Sequence, residues 1–269
     1  LSEVAEAFHF AKLIDRAYPD YDFPVNLFNT MEGAFYIGFM QSVQVRGTLV
    51  ERFEVAKHGQ LRMVKGGGRS DFVIKNIKTN AAVAEVDAHG NFTGARTLPG
   101  EVLTGAGKWD ENKLSIAMVI EYGSFRYYEG GDNEANDLLD AVNPTAQVVG
   151  PVDVATLNHH GQGVTKTFAE LLDPKVAILQ AWCSSHPPSR SIQILREEGR
   201  GQQREIFATD MFTEKLAELE AQGLAKSFRS VAGHVVVRVH PKQDDKQSYE
   251  IFVLDPSSLS VLSRHGFYE

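Results

Sequence analysis

His159 and His160 stand side by side in "VATLNHHGQG", residues 154–163, where an apolar run stops and a glycine-flanked turn begins. Imidazole changes charge near neutral pH and is the commonest neutral metal ligand, so the pair suits metal binding or proton transfer. A second group, Asp132, closes "EYGSFRYYEGGD", in which two glycines let the chain turn tightly before a carboxylate. A carboxylate and an imidazole brought to one point can share a divalent ion. His186, in "CSSHPPSRS", is a third candidate. Pro187 and Pro188 fix its loop ahead of a helix starting near Ser189. His186, Ser189 and that helix start can hold a phosphate oxygen or protonate a leaving group, and Asn133 beside Asp132 is a further candidate substrate contact. Each has a plainer alternative: a turn with no chemical task for the pair, a helix cap for Asp132, an ordinary surface-loop histidine for His186.

Groups so far apart in sequence need strand ends to bring them together. "VDVATL", residues 152–157, is short, rich in β-branched residues and bounded by Gly150-Pro151 and Gly161-Gln162-Gly163, so it predicts a buried strand that ends at the histidine pair. Asp132 follows the strand patterns "LSIAMVIEYG" and "SFRYYEGGD", and His186 follows "KVAILQAW". In open α/β sheets the C-terminal edge of the strands is where loops gather ligand-binding groups. From Leu114 onward strands alternate with helices, expected from Glu134 to Val142, around Thr167 to Leu172 and near Ser189 to Gly199. "REIFATD" and the hairpin "GHVVVRVH"/"SYEIFVLD" follow. Residues 47–110 switch to period two; "GTLVERFEVA", "GQLRMVKGG", "DFVIKNIKT" and "AAVAEVDAHGNFTGA" predict short strands. Residues 1–46 predict a short helix from Ser2 to Phe8 and a longer one from about Val25 to Val45.

Composition limits the partners. The chain has 269 residues, 43% of them hydrophobic, which suits one large core and a single domain over 1–269. With 27 Lys and Arg against 35 Asp and Glu, the net charge is -8, and no region is basic enough to track a phosphate backbone, so no stable nucleic-acid complex is expected. A small anionic substrate stays compatible, because a bound metal ion can reverse the local field. No stretch reaches the roughly 20 apolar residues of a membrane helix. No signal peptide is visible, and the single cysteine excludes an internal disulfide, which points to a soluble, cytoplasmic setting. That residue, Cys183, reads as a packing thiol beside Trp182.

The succession "LSIAMVIEYGSFRYYEGGDNE", "VDVATLNHHGQG", "FAELLDPKVAIL", "SHPP" and "REIFATD" resembles the C-terminal part of metallo-β-lactamase-fold hydrolases, especially the branch similar to the hydrolase domain of the competence protein ComEC. Members of that branch carry a strand, a Gly-Asp, a strand, a His-His-Gly and a "PKVAI" strand in this order. The resemblance covers roughly residues 114–255. It implies a four-layer αββα sandwich, two sheets with helices outside, with residues 47–110 in its first half and the N-terminal strands missing from this chain. It also implies metal ligation by Asp132, His159 and His160, with His160 the candidate proton carrier. Which imidazole takes which role is open. Zinc is the default ion for such donors, one or two divalent ions, with manganese or iron as alternatives. The implied function is hydrolysis of a phosphodiester or another phosphoester by a metal-activated water.

The family's His-x-His-x-Asp-His signature is absent; the only histidines before Asp132 are His9, His58 and His89. The resemblance places that signature upstream of Leu1. A second function class is therefore carried alongside the first: a metal-poor member of the fold serving as a binding or scaffold module.

Overall fold

The structure, a computed structural model, describes residues 2–62, 71–105, 108–134, 141–243 and 247–268. An N-terminal lobe comes first: helix α1 (Ser2–Ala7), strand β1 (Lys12–Asp15), helix α2 (Met31–Val45) and strand β2 (Leu49–Arg52). The long expected helix divides, because the turn Leu27–Asn29 is a separate 3-10 turn and Thr30 then caps α2, its side chain accepting from the Gly33 N–H. β1 and β2 pair in parallel, and Ile37, Met40, Val43 and Val50 form a core of their own with Ala17 and Tyr21.

Strands β3 (Phe72–Thr79), β4 (Ala82–Val86) and β5 (Phe92–Thr97) form a meander, followed by the short pair β6 (Thr104–Gly105) and β7 (Lys108–Trp109). The strand expected in "GQLRMVKGG" lies partly outside the described residues, and residues 59–62 are not extended strand. Next come β8 (Ala117–Tyr122), β9 (Phe125–Glu129), α3 (Val142–Val149), β10 (Val154–Thr156), α4 (Lys166–Leu171), β11 (Val176–Leu179), α5 (Ser189–Glu197), β12 (Glu205–Ala208), α6 (Thr213–Ala221), β13 (Phe228–Ser230), β14 (His234–Val239), β15 (Ser248–Leu254) and β16 (Val261–Tyr268). Most of the helix expected from Glu134 to Val142 lies outside the described residues, and α3 begins where it was expected to end.

Among the described residues, nine strands make one sheet in the order β13-β12-β11-β10-β9-β8-β3-β4-β5. It is parallel from β13 to β9 and antiparallel from β9 to β5. Residues 72–97 therefore do not supply a separate sheet: β3 pairs with β8 from Phe72↔Tyr122 to Lys78↔Ala117, and β3–β5 continue the same ladder. Period-two patterning foretells a strand, not its partner.

The faces follow from strand alternation. Val176 and Ile178 of β11 point to one face; Ala177 and Leu179 point to the other. On the first face a three-stranded sheet β14-β15-β16 covers Phe125, Val154, Val176 and Phe207 with Tyr249, Ile251 and Val253 of β15. On the second, Val142, Ala146 and Val149 of α3, Phe168 of α4, Leu195 of α5 and Leu219 of α6 join the main core. The protein is thus α/β: a large mixed sheet between helices and a small antiparallel sheet. Among the described residues no helix is long and apolar enough to cross a membrane.

Candidate functional site

Because β9, β10 and β11 are parallel neighbours, their C-terminal ends lie along one edge. Asp132 follows β9, the histidine pair follows β10 and His186 follows β11. β8 runs antiparallel to β9, so the segment leading into it, residues 110–116, reaches the same edge.

The Asp132 turn requires glycine at one position and favours it at the next. A Cβ on Gly130 would lie 2.2 Å from both Asn158 Oδ1 and the Tyr128 hydroxyl, and Gly131 has φ +55°. The Ser115 hydroxyl accepts from the Asp132 N–H at 3.2 Å. Asn133, expected as a substrate contact, is fully buried and its amide donates to Gly130 O at 2.5 Å, so it braces the turn from beneath.

The histidine pair is built on strained backbone. His159 (φ 48°, ψ 53°) and His160 (φ 55°, ψ 29°) are both left-handed, and Gly161 follows at φ +91°. Left-handed conformation costs an L-residue roughly 1–2 kcal/mol. The surroundings impose it: His159 N–H donates to Gly131 O at 3.1 Å, Gly163 N–H to Asn158 O at 3.1 Å, and buried Asn158 donates to the Tyr128 hydroxyl at 3.3 Å. Tyr128 is thus a residue of the main core, while Tyr127 packs on the opposite face of the sheet. Strain retained in this way is a mark of functional turns.

The two imidazoles face different partners. His160 Nδ1 lies 2.6 Å from Gln180 O; a carbonyl only accepts, so Nδ1 carries the hydrogen and Nε2 holds a lone pair. That Nε2 accepts from the indole N–H of Trp182 at 3.1 Å and lies 3.8 Å from Asp132 Oδ1. His159 Nε2 is 3.4 Å from the Asn112 amide nitrogen, while its buried Nδ1 lies 3.9 Å from Glu134 Oε2 and has no hydrogen-bond partner. Burial raises the Glu134 carboxyl above the ordinary glutamate range, and a hydrogen bond with Asp110 and the charge of Asp110 raise it further.

His186 is 3% exposed and stacks on His160 with ring centroids 4.5 Å apart and planes at 16°. Its Nε2 is 3.2 Å from the Gln162 amide nitrogen, and its buried Nδ1 is unpartnered. Burial first, and then the neighbouring His160 and His159, lower its tendency to take a proton. Ser189 is committed elsewhere, donating to Glu218 Oε1 at 2.5 Å.

Cys183 is not a core thiol. It is half-buried, with its sulfur 3.0 Å from the Ser185 hydroxyl, and Trp182 is 66% exposed. Trp182, Glu134, Asp110 and Gln162 are site neighbours that sequence reasoning did not single out; only Trp182, at the end of a strand pattern, carried a signal.

Beneath the edge, Lys78 is fully buried. Its ammonium donates to Lys113 O and to Ser115 O (3.2 Å), tying down the segment that carries Asn112 and Ser115. Burial, with help from the charge of Arg16, pushes its pKa down to about 7.

Comparison with models of protein families finds no match, and comparison with curated proteins finds none either. Asp132 and His160 are spaced as two ligands of one ion can be, given bonds of roughly 2.0–2.2 Å to each. Among the described residues no group of three or more His, Cys, Asp or Glu is arranged to hold a metal ion.

Proposed function

We propose that this edge is the active centre of a metal-dependent hydrolase of the metallo-β-lactamase-like type, acting on a phosphodiester or another phosphoester. The observation that carries the reading is the pairing of Asp132 Oδ1 with His160 Nε2 at 3.8 Å, with His160 Nδ1–H held by Gln180 O. A carbonyl on the far nitrogen is what fixes the tautomer of a ligating imidazole. Asp132 and His160 are the residues that would hold the ion, zinc by default and manganese or iron as alternatives. A bound divalent ion supplies a water of lowered pKa and stabilises charge developing on oxygen.

The remaining steps belong to the chain's own side chains. The Asn112 amide nitrogen only donates, so His159 Nε2 accepts and its proton sits on Nδ1, facing Glu134. His159 takes the proton released by the attacking water at Nε2 and returns it to the leaving oxygen. Glu134, whose Oε2 faces His159 Nδ1, stabilises the imidazolium formed in between. This assigns metal holding to His160 and proton transfer to His159, where the sequence left the roles open and favoured His160 as the proton carrier. His186, kept neutral by burial, lines the site as a stacked wall and offers a nitrogen to the ester oxygen.

The deciding experiment measures hydrolysis of bis(4-nitrophenyl) phosphate together with bound metal by elemental analysis, after addition of zinc or manganese. Metal-dependent hydrolysis that Asp132→Asn lowers by about 10²-fold or more supports the reading. A metal-loaded protein that leaves a panel of phosphomonoesters and phosphodiesters intact overturns it. A second reading, a metal-poor binding module, is the other function class that the sequence allows. Failure to retain metal in that experiment selects it.

A further inference from the structure

A cavity of about 520 Å3 lies between the N-terminal lobe and the segment leading into β8. We infer that it binds an uncharged, partly apolar group of the substrate, so that the substrate is amphipathic, an anionic ester joined to a neutral body. The inference rests on the hydrolase reading for the identity of the ester and on the cavity for the body.

The cavity and the histidine cluster share a wall. Glu111 lines the cavity, and Asn112, the next residue, reaches His159. Gly131 lines the cavity, and Asp132, the next residue, reaches His160. Ser115 does both, lining the cavity while its hydroxyl holds the Asp132 N–H. A molecule bound with its ester at the cluster therefore has a ready place for its next group.

The lining decides the chemistry of that group. Ile14, Leu27 and Ile116 make it apolar. The ionised groups set into its walls are already committed, Arg16 to Glu111 as an ion pair and Asp15 to neutral donors. Asp15, 3% exposed, accepts from the Tyr36 hydroxyl and from the Ala17 and Tyr18 N–H groups. Arg16 donates through Nη2 to both Glu111 oxygens, at 2.8 and 2.5 Å, and through Nη1 to Asn80 Oδ1 and Phe23 O. An anionic group entering such a space loses water and meets no free cation, and a cationic group meets carboxylates already held by donors or, at Glu32, by solvent, whereas an apolar group gains by leaving water. Glu32 lines the cavity too, but it is exposed to solvent. The volume falls within the range of small-molecule sites, about 300–1,000 Å3.

The test uses 4-nitrophenyl phosphodiesters that differ only in the second alcohol: methyl, phenyl, 6-aminohexyl and 5-carboxypentyl. The phenyl ester is expected to show a KM about ten-fold below that of the methyl ester. Leu27→Trp and Ile116→Phe, which narrow the cavity from opposite walls, are expected to erase that preference while leaving the methyl ester within about two-fold. Where no ester is hydrolysed, the hydrolase reading falls, and the same esters serve as ligands in calorimetric titration. A phenyl preference in Kd that either variant erases then upholds the cavity on its own. Equal KM or Kd for methyl and phenyl overturns the inference and leaves the hydrolase reading standing. Tighter binding of the ammonium or the carboxylate ester than of phenyl also overturns it. A phenyl preference that survives in a folded Leu27→Trp and a folded Ile116→Phe places the alcohol elsewhere and overturns it as well.

Discussion

The indole N–H of Trp182 donates to His160 Nε2 at 3.1 Å, on the very nitrogen that faces Asp132 Oδ1 at 3.8 Å. An exposed tryptophan therefore caps the lone pair that a metal ion needs. Zinc added to the protein is expected to displace the indole and change Trp182 fluorescence, a change that Trp182→Phe abolishes. Because one hydrogen bond no longer competes, about 1 kcal/mol, Trp182→Phe should bind zinc roughly five-fold more tightly. Unchanged zinc affinity in the variant, measured by competition with a chelating dye, would show that the cap is incidental.

The two histidines should not be interchangeable. His160→Ala is expected to lower metal content, with activity falling as a consequence. His159→Ala should retain metal and slow turnover by roughly 10²- to 10⁴-fold, the usual range for a lost general acid or base. Elemental analysis beside the phosphodiesterase rate separates the two; full metal and full rate in both variants would return the pair to an ordinary turn.

The backbone of the pair makes a separate prediction that needs no activity. At a left-handed position glycine is favoured over alanine, the reverse of the helical order. His160→Gly should be more stable than His160→Ala by about 1 kcal/mol in urea unfolding, since both lose the same ring. The opposite order would mean that residue 160 is not left-handed in solution.

Lys78 sets a pH dependence. Its folded pKa of about 7 lies below the 10.5 of an unburied lysine, so between these values the unfolded chain binds a proton that the folded chain does not. Its contribution to stability therefore rises from about pH 7 toward pH 10, and the penalty is fully present below 7. Neutral, the amine still has two hydrogens for Lys113 O and Ser115 O. Unfolding free energies at pH 6.5 and 9 should diverge in the wild type by more than in Lys78→Met; equal pH slopes would remove the burial argument.

What the sequence determined by itself was local. Glycine and proline punctuation and the period of the apolar residues set the existence of β8 to β12, of α4 and α5, and of the β14–β15 hairpin. They also placed Asp132, His159, His160 and His186 at strand ends, because these signals act within a few residues. α6, absent from the expected elements, is equally local in origin, written in "TEKLAELEAQG". Only the tertiary structure decided the rest. Strand periodicity says nothing about partners, so it took the β3–β8 ladder to show residues 72–97 extending the main sheet. Burial and pairing are properties of neighbours distant in sequence. Asn133 was therefore turned inward and Ser189 drawn to Glu218, Trp182 was set on His160, and Lys78 was sealed beneath the loop that carries Asn112. The side-chain types were legible in the chain; their distances are set by packing, which no spacing within one strand can encode.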